Sequence, residues 1–179
     1  MNGARTASGL SLLIATLLLA SVAWAEIPSA TDDCESDLVE TTPSSDFTPL
    51  EGGEVVRHQA TGLEWRRCPE GMDWTGSQCS GTALTRTWQG ALQYADDVDG
   101  WRLPDINELR STVERCRIAP STNQQVFPDT PASFGSLFWS ASPFAGYSDR
   151  AWAVGVGSGS DFGDYKDRSN GVRLVRGGQ

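Results

Sequence analysis

Trp101-Arg102-Leu103-Pro104-Asp105-Ile106-Asn107-Glu108-Leu109-Arg110 is the stretch on which the fold turns. Asp105 followed three residues later by Glu108 is a capping-box pattern, in which each side chain accepts an orphan backbone N–H at the start of a helix. Pro104 stands immediately before it. Ile106, Leu109 and Val113 recur at helical spacing and predict one buried stripe. Arg102 and Glu108 flank the cap. Their expected role is structural: a guanidinium fork for carbonyls or a carboxylate, and a carboxylate for an orphan amide. Trp101 and Asp105 belong to the same structural group.

A second helix is predicted upstream. Thr87 is its cap, and Trp88, Ala91, Leu92 and Ala95 fall on one apolar face. Further upstream, Glu54 to Arg57 and Leu63 to Arg67 are alternating runs around Ala60-Thr61-Gly62, which predicts a β-hairpin. Cys68 to Gly81 is rich in turn residues. Downstream, residues 117 to 137 carry three prolines and no clear period, so a long loop is expected. The period then changes to two. Phe138 to Ser140, Ala151 to Val156 and Val172 to Val175 are expected as strands, with Trp152, Val154 and Val156 on one face. Gly157 to Gly171 is expected as an exposed turn region around Phe162 and Tyr165. Strands, two helices and strands again point to an α+β domain.

Residues 1–25 have the form of a signal peptide. Arg5 supplies the positive start, Leu10 to Ala20 the apolar run, and Ala23-Trp24-Ala25 a small-x-small cleavage site. The apolar run is shorter than the roughly 20 residues a spanning helix needs, and no later segment approaches that length. Export to the periplasm or cell surface is therefore expected, with no membrane span after cleavage. Residues 26–52 form a polar arm, and residues 53–179 a single domain. Losing one arginine with the leader takes the formal charge from −9 to −10. That balance argues against nucleic acid or an anionic membrane as partner.

Cys34, Cys68, Cys79 and Cys116 all lie after the leader, and an even count in an exported chain favours two disulfides. Cys68–Cys79, closing a short loop, and Cys34–Cys116, tying the arm to the body, are the expected pairs. No CxxC is present and His58 is the sole histidine, which disfavours zinc.

Several pieces in order resemble the C-terminal domain family of the Legionella collagen-like (Lcl) protein. They are Thr61-Gly62-Leu63-Glu64-Trp65, Cys68-Pro69-Glu70-Gly71 with Cys79-Ser80-Gly81, Trp88 with Ala91-Leu92, and Trp101 to Leu109. Phe127 to Pro131, Phe138 to Pro143, Ala151-Trp152 with Val154, and Val172 to Gly178 complete the set. The resemblance spans roughly residues 53 to 179 and implies adhesion, with sulfated glycans as the ligand class. The chain has no Gly-X-Y tract, so trimeric display on a collagen-like stalk does not carry over. A weaker similarity is to the C-type-lectin-like and formylglycine-generating-enzyme folds, through Leu103-Pro104 and Val175-Arg176-Gly177-Gly178. The paired late cysteines of the oxidase are missing, as are the Glu-Pro-Asn and Trp-Asn-Asp calcium signatures of sugar-binding lectins.

Catalysis finds little footing. A Ser–His–Asp site would need His58 as base, yet no nucleophile motif lies near it. Asp96-Asp97-Val98-Asp99 fails the EF-hand template, because the twelfth position is Ile106 rather than a bidentate Glu. A calcium loop of another kind, here or around Asp161, Asp164 and Asp167, is weighed against ordinary solvated acidic loops, and the loops are commoner. No cofactor and no metal site are assigned. Of the six tryptophans after the leader, most lie at core positions. Trp74, inside the Cys68–Cys79 loop, is the exception. With Tyr147, Phe162 and Tyr165 it forms the expected ligand-contact set, and a glycan binder should gather Trp74, Tyr147 and Tyr165 on one surface. Arg57, Arg66, Arg67, Arg173 and Arg176 would form a basic stripe if the hairpin lay beside the last strand. Arg66 and Arg67 must point to opposite faces, so the stripe cannot include all five.

The expectation is a disulfide-stapled α+β domain, C-type-lectin-like, with two helices and short, mostly antiparallel strands. It would act as a non-catalytic binding module for carbohydrate or a cell-surface glycan. The alternative is a protein-interaction or structural component of an envelope or pilus assembly, marked by a broad apolar patch.

Overall fold

Among the described residues, eleven short strands and two α-helices are laid down in an order that returns the end of the domain to its beginning. The computed structural model describes Met1, Cys34 and residues 38–178 apart from 132 and 134. Except for Met1, the predicted leader lies outside the described residues, as does the arm from residue 26 to 37 apart from Cys34. Among the described residues no helix is long and apolar enough to cross a membrane.

The predicted hairpin is present as β2 (Val55–His58) and β3 (Leu63–Arg66), antiparallel, with Val56 opposite Trp65. Leu63 and Trp65 point inward while Glu64 and Arg66 point out, as period two requires. The later part of the arm contributes β1 (Phe47–Leu50), antiparallel to β2. The last strand, β11 (Val175–Gly177), closes the sheet on the other side of β3, giving the order β1-β2-β3-β11. Within the Cys68–Cys79 loop, β4 (Met72–Trp74) and β5 (Cys79–Gly81) form a small hairpin of their own.

A second sheet has the order β6-β10-β7-β8-β9. Its members are β6 (Thr85–Arg86), β7 (Leu137–Pro143), β8 (Arg150–Gly155), β9 (Ser160–Tyr165) and β10 (Asn170–Gly171). All pairings are antiparallel except β10 with β7. Where β7 and β8 pair, this sheet is buried on both faces. Phe138 and Val154 join Trp65, Val56, Val175 and Phe127 in one core. Trp139, Ala151 and Ala153 face the other core, which helix α1 (Trp88–Asp96) fills with Ala91 and Ala95. Thr87 caps α1 by accepting from Gly90 N at 3.2 Å. Helix α2 (Ile106–Arg110) carries the complete capping box. It spans only five residues, so Val113, predicted on its stripe, is buried by the turn that follows.

Two expectations are corrected. The Gly157–Gly171 region is not a turn region around Phe162 and Tyr165, because Ser160–Tyr165 pairs along its whole length with β8. Asp and Gly disfavour strands in isolation, but pairing with a buried neighbour overrides that preference. Gly163 is required there: the Phe144 ring packs where a Cβ would stand. Val172 to Val175 is not one strand either. Val172, Arg173 and Leu174 run between the two sheets, buried on all sides, so the apolar run shows no alternation. The carbonyls of Val172 and Leu174 accept from Glu70 N at 2.9 Å and Arg66 N at 3.1 Å.

Candidate functional site

The capping motif ties helix to sheet. Arg102 donates from Nη1 and Nη2 to the two Glu108 oxygens, each at 2.6 Å, and from Nη2 to Gly177 O at 3.1 Å. Glu108 also accepts from Asp105 N at 2.8 Å, while Asp105 accepts from Asn107 N and Glu108 N. The Trp101 indole lies under two guanidinium groups, Arg66 at 5.1 Å and Arg176 at 4.5 Å. Trp101, Arg102, Asp105 and Glu108 therefore join α2 to β3 and β11. Both expected disulfides are formed, Cys34–Cys116 and Cys68–Cys79.

The basic stripe is spent internally. The hairpin does lie beside β11, but Glu64 accepts from Arg57 at 2.5 Å and from Arg176 at 2.7 Å. The bond from Arg176, followed by that from Arg57, holds the Glu64 carboxyl below its usual range. Arg176 also pairs with Glu51. Arg67 turns to the carbonyls of Val126, Gln125 and Gly53. Arg173 is buried and donates to Arg66 O at 3.0 Å and Thr130 Oγ1 at 2.9 Å, and also to Arg67 O. Burial, with a smaller contribution from the Arg67 charge, lowers its pKa to about 9.

The four predicted contact aromatics fall in three places. Tyr147 and Tyr165 meet at Arg150, whose guanidinium lies 5.1 Å from the first ring and 4.3 Å from the second. Arg150 Nη2 donates to the Tyr165 hydroxyl at 2.8 Å. Tyr147 is 55% exposed and Tyr165 38%. Behind them Phe144 packs on Tyr147 at 5.6 Å and on Trp152 at 4.4 Å, which fixes the loop between β7 and β8. Lys166 and Arg168 flank the pair, Lys166 over the Trp88 ring and Arg168 near the Tyr165 ring. Phe162, also on β9, is offset from Tyr165 by an odd number of residues and so projects from the opposite face. Trp74 is engaged elsewhere. Its Nε1 donates to Gly52 O at 3.1 Å, and Arg67 covers the ring at 4.2 Å. Gly53, at φ +91, lets the backbone pass so close that a Cβ would lie 3.3 Å from the indole.

Trp74 also lines a cavity of about 100 Å³ under the β4–β5 hairpin, together with Arg66, Glu70, Tyr94, Glu54 and Asp73. Glu70 is 7% exposed. Its Oε1 accepts from Arg86 Nε at 2.6 Å, while Oε2 has no partner among the described residues. Arg66 Nε, also buried, has none either. Burial, then the Glu70 charge, raises the Tyr94 pKa against the opposing charges of Arg66 and Arg86.

His58 Nδ1 shares a 2.9 Å hydrogen bond with Thr61 Oγ1, and its ring stacks on Phe47. Burial lowers its pKa, against an opposing charge from Asp46. Glu114 is fully buried and accepts from Thr41 N, Thr42 N, both threonine hydroxyls and Cys116 N, between 2.7 and 3.2 Å. Among the described residues the group of metal-type donors that converges is Cys34, Glu114 and Cys116. Both its sulfurs are committed to the disulfide. Of the acids weighed for calcium, Asp161 pairs with Arg110 and Asp164 with Arg168.

Arg150, Glu70 and Glu114 gave no signal in the sequence. Arg150 opens β8 but lies one residue before the predicted run Ala151 to Val156, in which alternation marks only Trp152, Val154 and Val156. Glu70, between Pro69 and Gly71, has the look of an exposed turn residue. The family model described as the Lcl C-terminal domain matches residues 54–176. No curated protein matches the chain.

Proposed function

Because the chain belongs to the Lcl C-terminal domain family, we propose that it is an exported, non-catalytic binding module that recognises carbohydrate on a cell surface, as an adhesin does. The observation that carries this reading is the convergence of Tyr147 and Tyr165 on Arg150. Tyrosine rings offer flat apolar faces for the C–H side of a pyranose, and the guanidinium offers donors to a hydroxyl, carboxylate or sulfate. Phe144 and Trp152 hold the arrangement from behind, so little ordering is left for the ligand to impose. Two disulfides fit an oxidising compartment, and with it export to the periplasm or surface. We infer a C-type-lectin-like fold, which the two helices and the return of β11 to the early hairpin support. No metal or cofactor enters the reading.

The test is a glycan array that includes sulfated and uronic saccharides, run with and without calcium. Wild type should bind, and the Tyr147→Ala/Tyr165→Ala double variant should lose about fivefold or more, at roughly 0.5–1.5 kcal/mol per ring. Trp74→Ala at the separate hairpin site should leave this surface intact. A blank array in both conditions would sink the glycan reading.

A second reading, a protein-interaction component of an envelope assembly, is favoured by one observation. Leu38, Val39 and Ile118 are exposed at 53, 86 and 69%. Val39 and Ile118 flank the Glu40–Arg117 ion pair that joins the arm to the following loop. Their replacement by serine should abolish co-purification of a partner under that reading and leave glycan binding unchanged under the first.

A further inference from the structure

We propose that the cavity under the β4–β5 hairpin is a subsite for the acetamido group of an N-acetylated amino sugar, whose N–H donates to Glu70 Oε2 and whose carbonyl accepts from Arg66 Nε. The proposal rests on the carbohydrate reading of the domain but on a different surface from Tyr147 and Tyr165.

Glu70 and Arg66, each carrying one buried unpartnered polar atom of opposite character, both line one small space. Glu70 has its first oxygen taken by Arg86 and its second unengaged, at 3% side-chain exposure. Arg66 has its guanidinium over Trp101 and its Nε unengaged. An unmet buried donor or acceptor is costly, so each gains from a ligand that supplies the missing partner. An ammonium or metal cation would suit Glu70 but cannot accept from Arg66. A sulfate would suit Arg66 but cannot donate to Glu70, and a phosphate can do so only while it keeps a proton. A secondary amide does both from adjacent atoms.

Size and lining narrow the choice. About 100 Å³ is well below the several hundred Å³ typical of sites that enclose a whole ligand, so this one admits a substituent and leaves the ring outside. Trp74, Tyr94 and Leu174 offer apolar surface for the methyl group. Glu54 and Asp73, both exposed on the same lining, can accept from the hydroxyls of the ring that remains outside. A side-chain carboxamide of a protein partner shares the amide but brings no polyhydroxyl ring to those two acids.

The experiment is a two-dimensional amide NMR titration of the oxidised protein with N-acetylglucosamine and N-acetylgalactosamine, beside glucosamine, glucose and galactose. The N-acetyl sugars should shift the Gly71, Asp73 and Trp74 signals, and the parent sugars should not at equal concentration. Glu70→Gln can keep its carbonyl toward Arg86 while presenting an NH₂ where an acceptor is needed. Binding should weaken about tenfold or more, the loss of one hydrogen bond to a charged group. Arg66→Lys keeps the charge without Nε and should weaken binding comparably, which covers the case in which Glu70→Gln does not fold. The Tyr147→Ala/Tyr165→Ala double variant should leave these shifts in place, so the two surfaces fail separately. Equal shifts from parent sugars, no shift from any sugar, or affinity unchanged in both cavity variants would overturn the proposal. So would a response confined to a glutamine-bearing peptide, which would reassign the cavity to a protein partner.

Discussion

Arg102 and Glu108 share two 2.6 Å bonds in a geometry only a guanidinium and a carboxylate can form, and Glu108 serves the helix cap with one of the same oxygens, Oε2. The pair is partly exposed, at 44 and 15% for the side chains, so its Coulomb term is screened. Asp105→Ala removes only the cap and should cost about 1 kcal/mol. Glu108→Ala removes the cap bond and frees Arg102, and should cost about 1–2 kcal/mol. Urea unfolding of both variants decides the point. Equal costs would show that the fork to Arg102 adds nothing beyond the cap. This part of the site was readable in advance because a capping box is local, with both partners within four residues. Glu70 and Arg150 were not readable, because each takes its meaning from residues brought close by the sheets: Arg86 for one, Tyr147 and Tyr165 for the other.

At the scale of elements, periodicity revealed those whose two faces differ. The β2–β3 hairpin has one wet and one dry face, and α1 turns one stripe to the core, so period two and period 3.6 showed through. The Val172–Leu174 connector is buried on all sides and β9 is a polar edge strand, so neither carries a contrast that a sequence can display. The β4–β5 hairpin is a third case, because strands of three residues cannot hold by pairing alone. It is retained by the Cys68–Cys79 disulfide, by Trp74 on Gly52, and by Asp129 accepting from Cys79 N at 2.8 Å. Replacing both cysteines by serine should therefore destabilise the protein by about 2–3 kcal/mol, the value for a loop of this length. Hydrogen exchange should accelerate from Gly71 to Gly81 first, while β7 and β8 keep their protection. Uniform acceleration would mean that the hairpin unfolds with the body.

Across the whole molecule, the segment before β1 is held to the body by a second disulfide, by the Glu40–Arg117 ion pair, by Asn123 donating to Thr42 O, and by the buried Glu114 carboxylate. Cys34–Cys116 spans 82 residues, and beside it Glu114 collects the amides and hydroxyls of Thr41 and Thr42. The cysteine pair could be inferred by counting. Glu114 could not, since an acid two residues before a cysteine gives no sign of burial. Burial is the largest single influence on its pKa and acts upward, but the amides of Thr41, Thr42 and Cys116 together outweigh it, and the folded value is lowered. The sign follows. The unfolded chain binds a proton more readily than the folded one, so the stabilisation is complete above the unfolded carboxyl value of about 4.3 and is lost as pH falls through the folded value. His58, whose folded pKa is also lowered, adds a loss that starts at higher pH, as the medium falls through the ordinary imidazole value of about 6.5. Glu114→Gln leaves one acceptor oxygen where two served several donors, and should cost roughly 2 kcal/mol at neutral pH. Its stability should then vary less than that of wild type below pH of about 4.3, while the His58 step persists unchanged. Denaturation at a series of pH values would separate the two. Parallel curves for wild type and Glu114→Gln in the acid range would mean that this carboxylate is not what holds the arm.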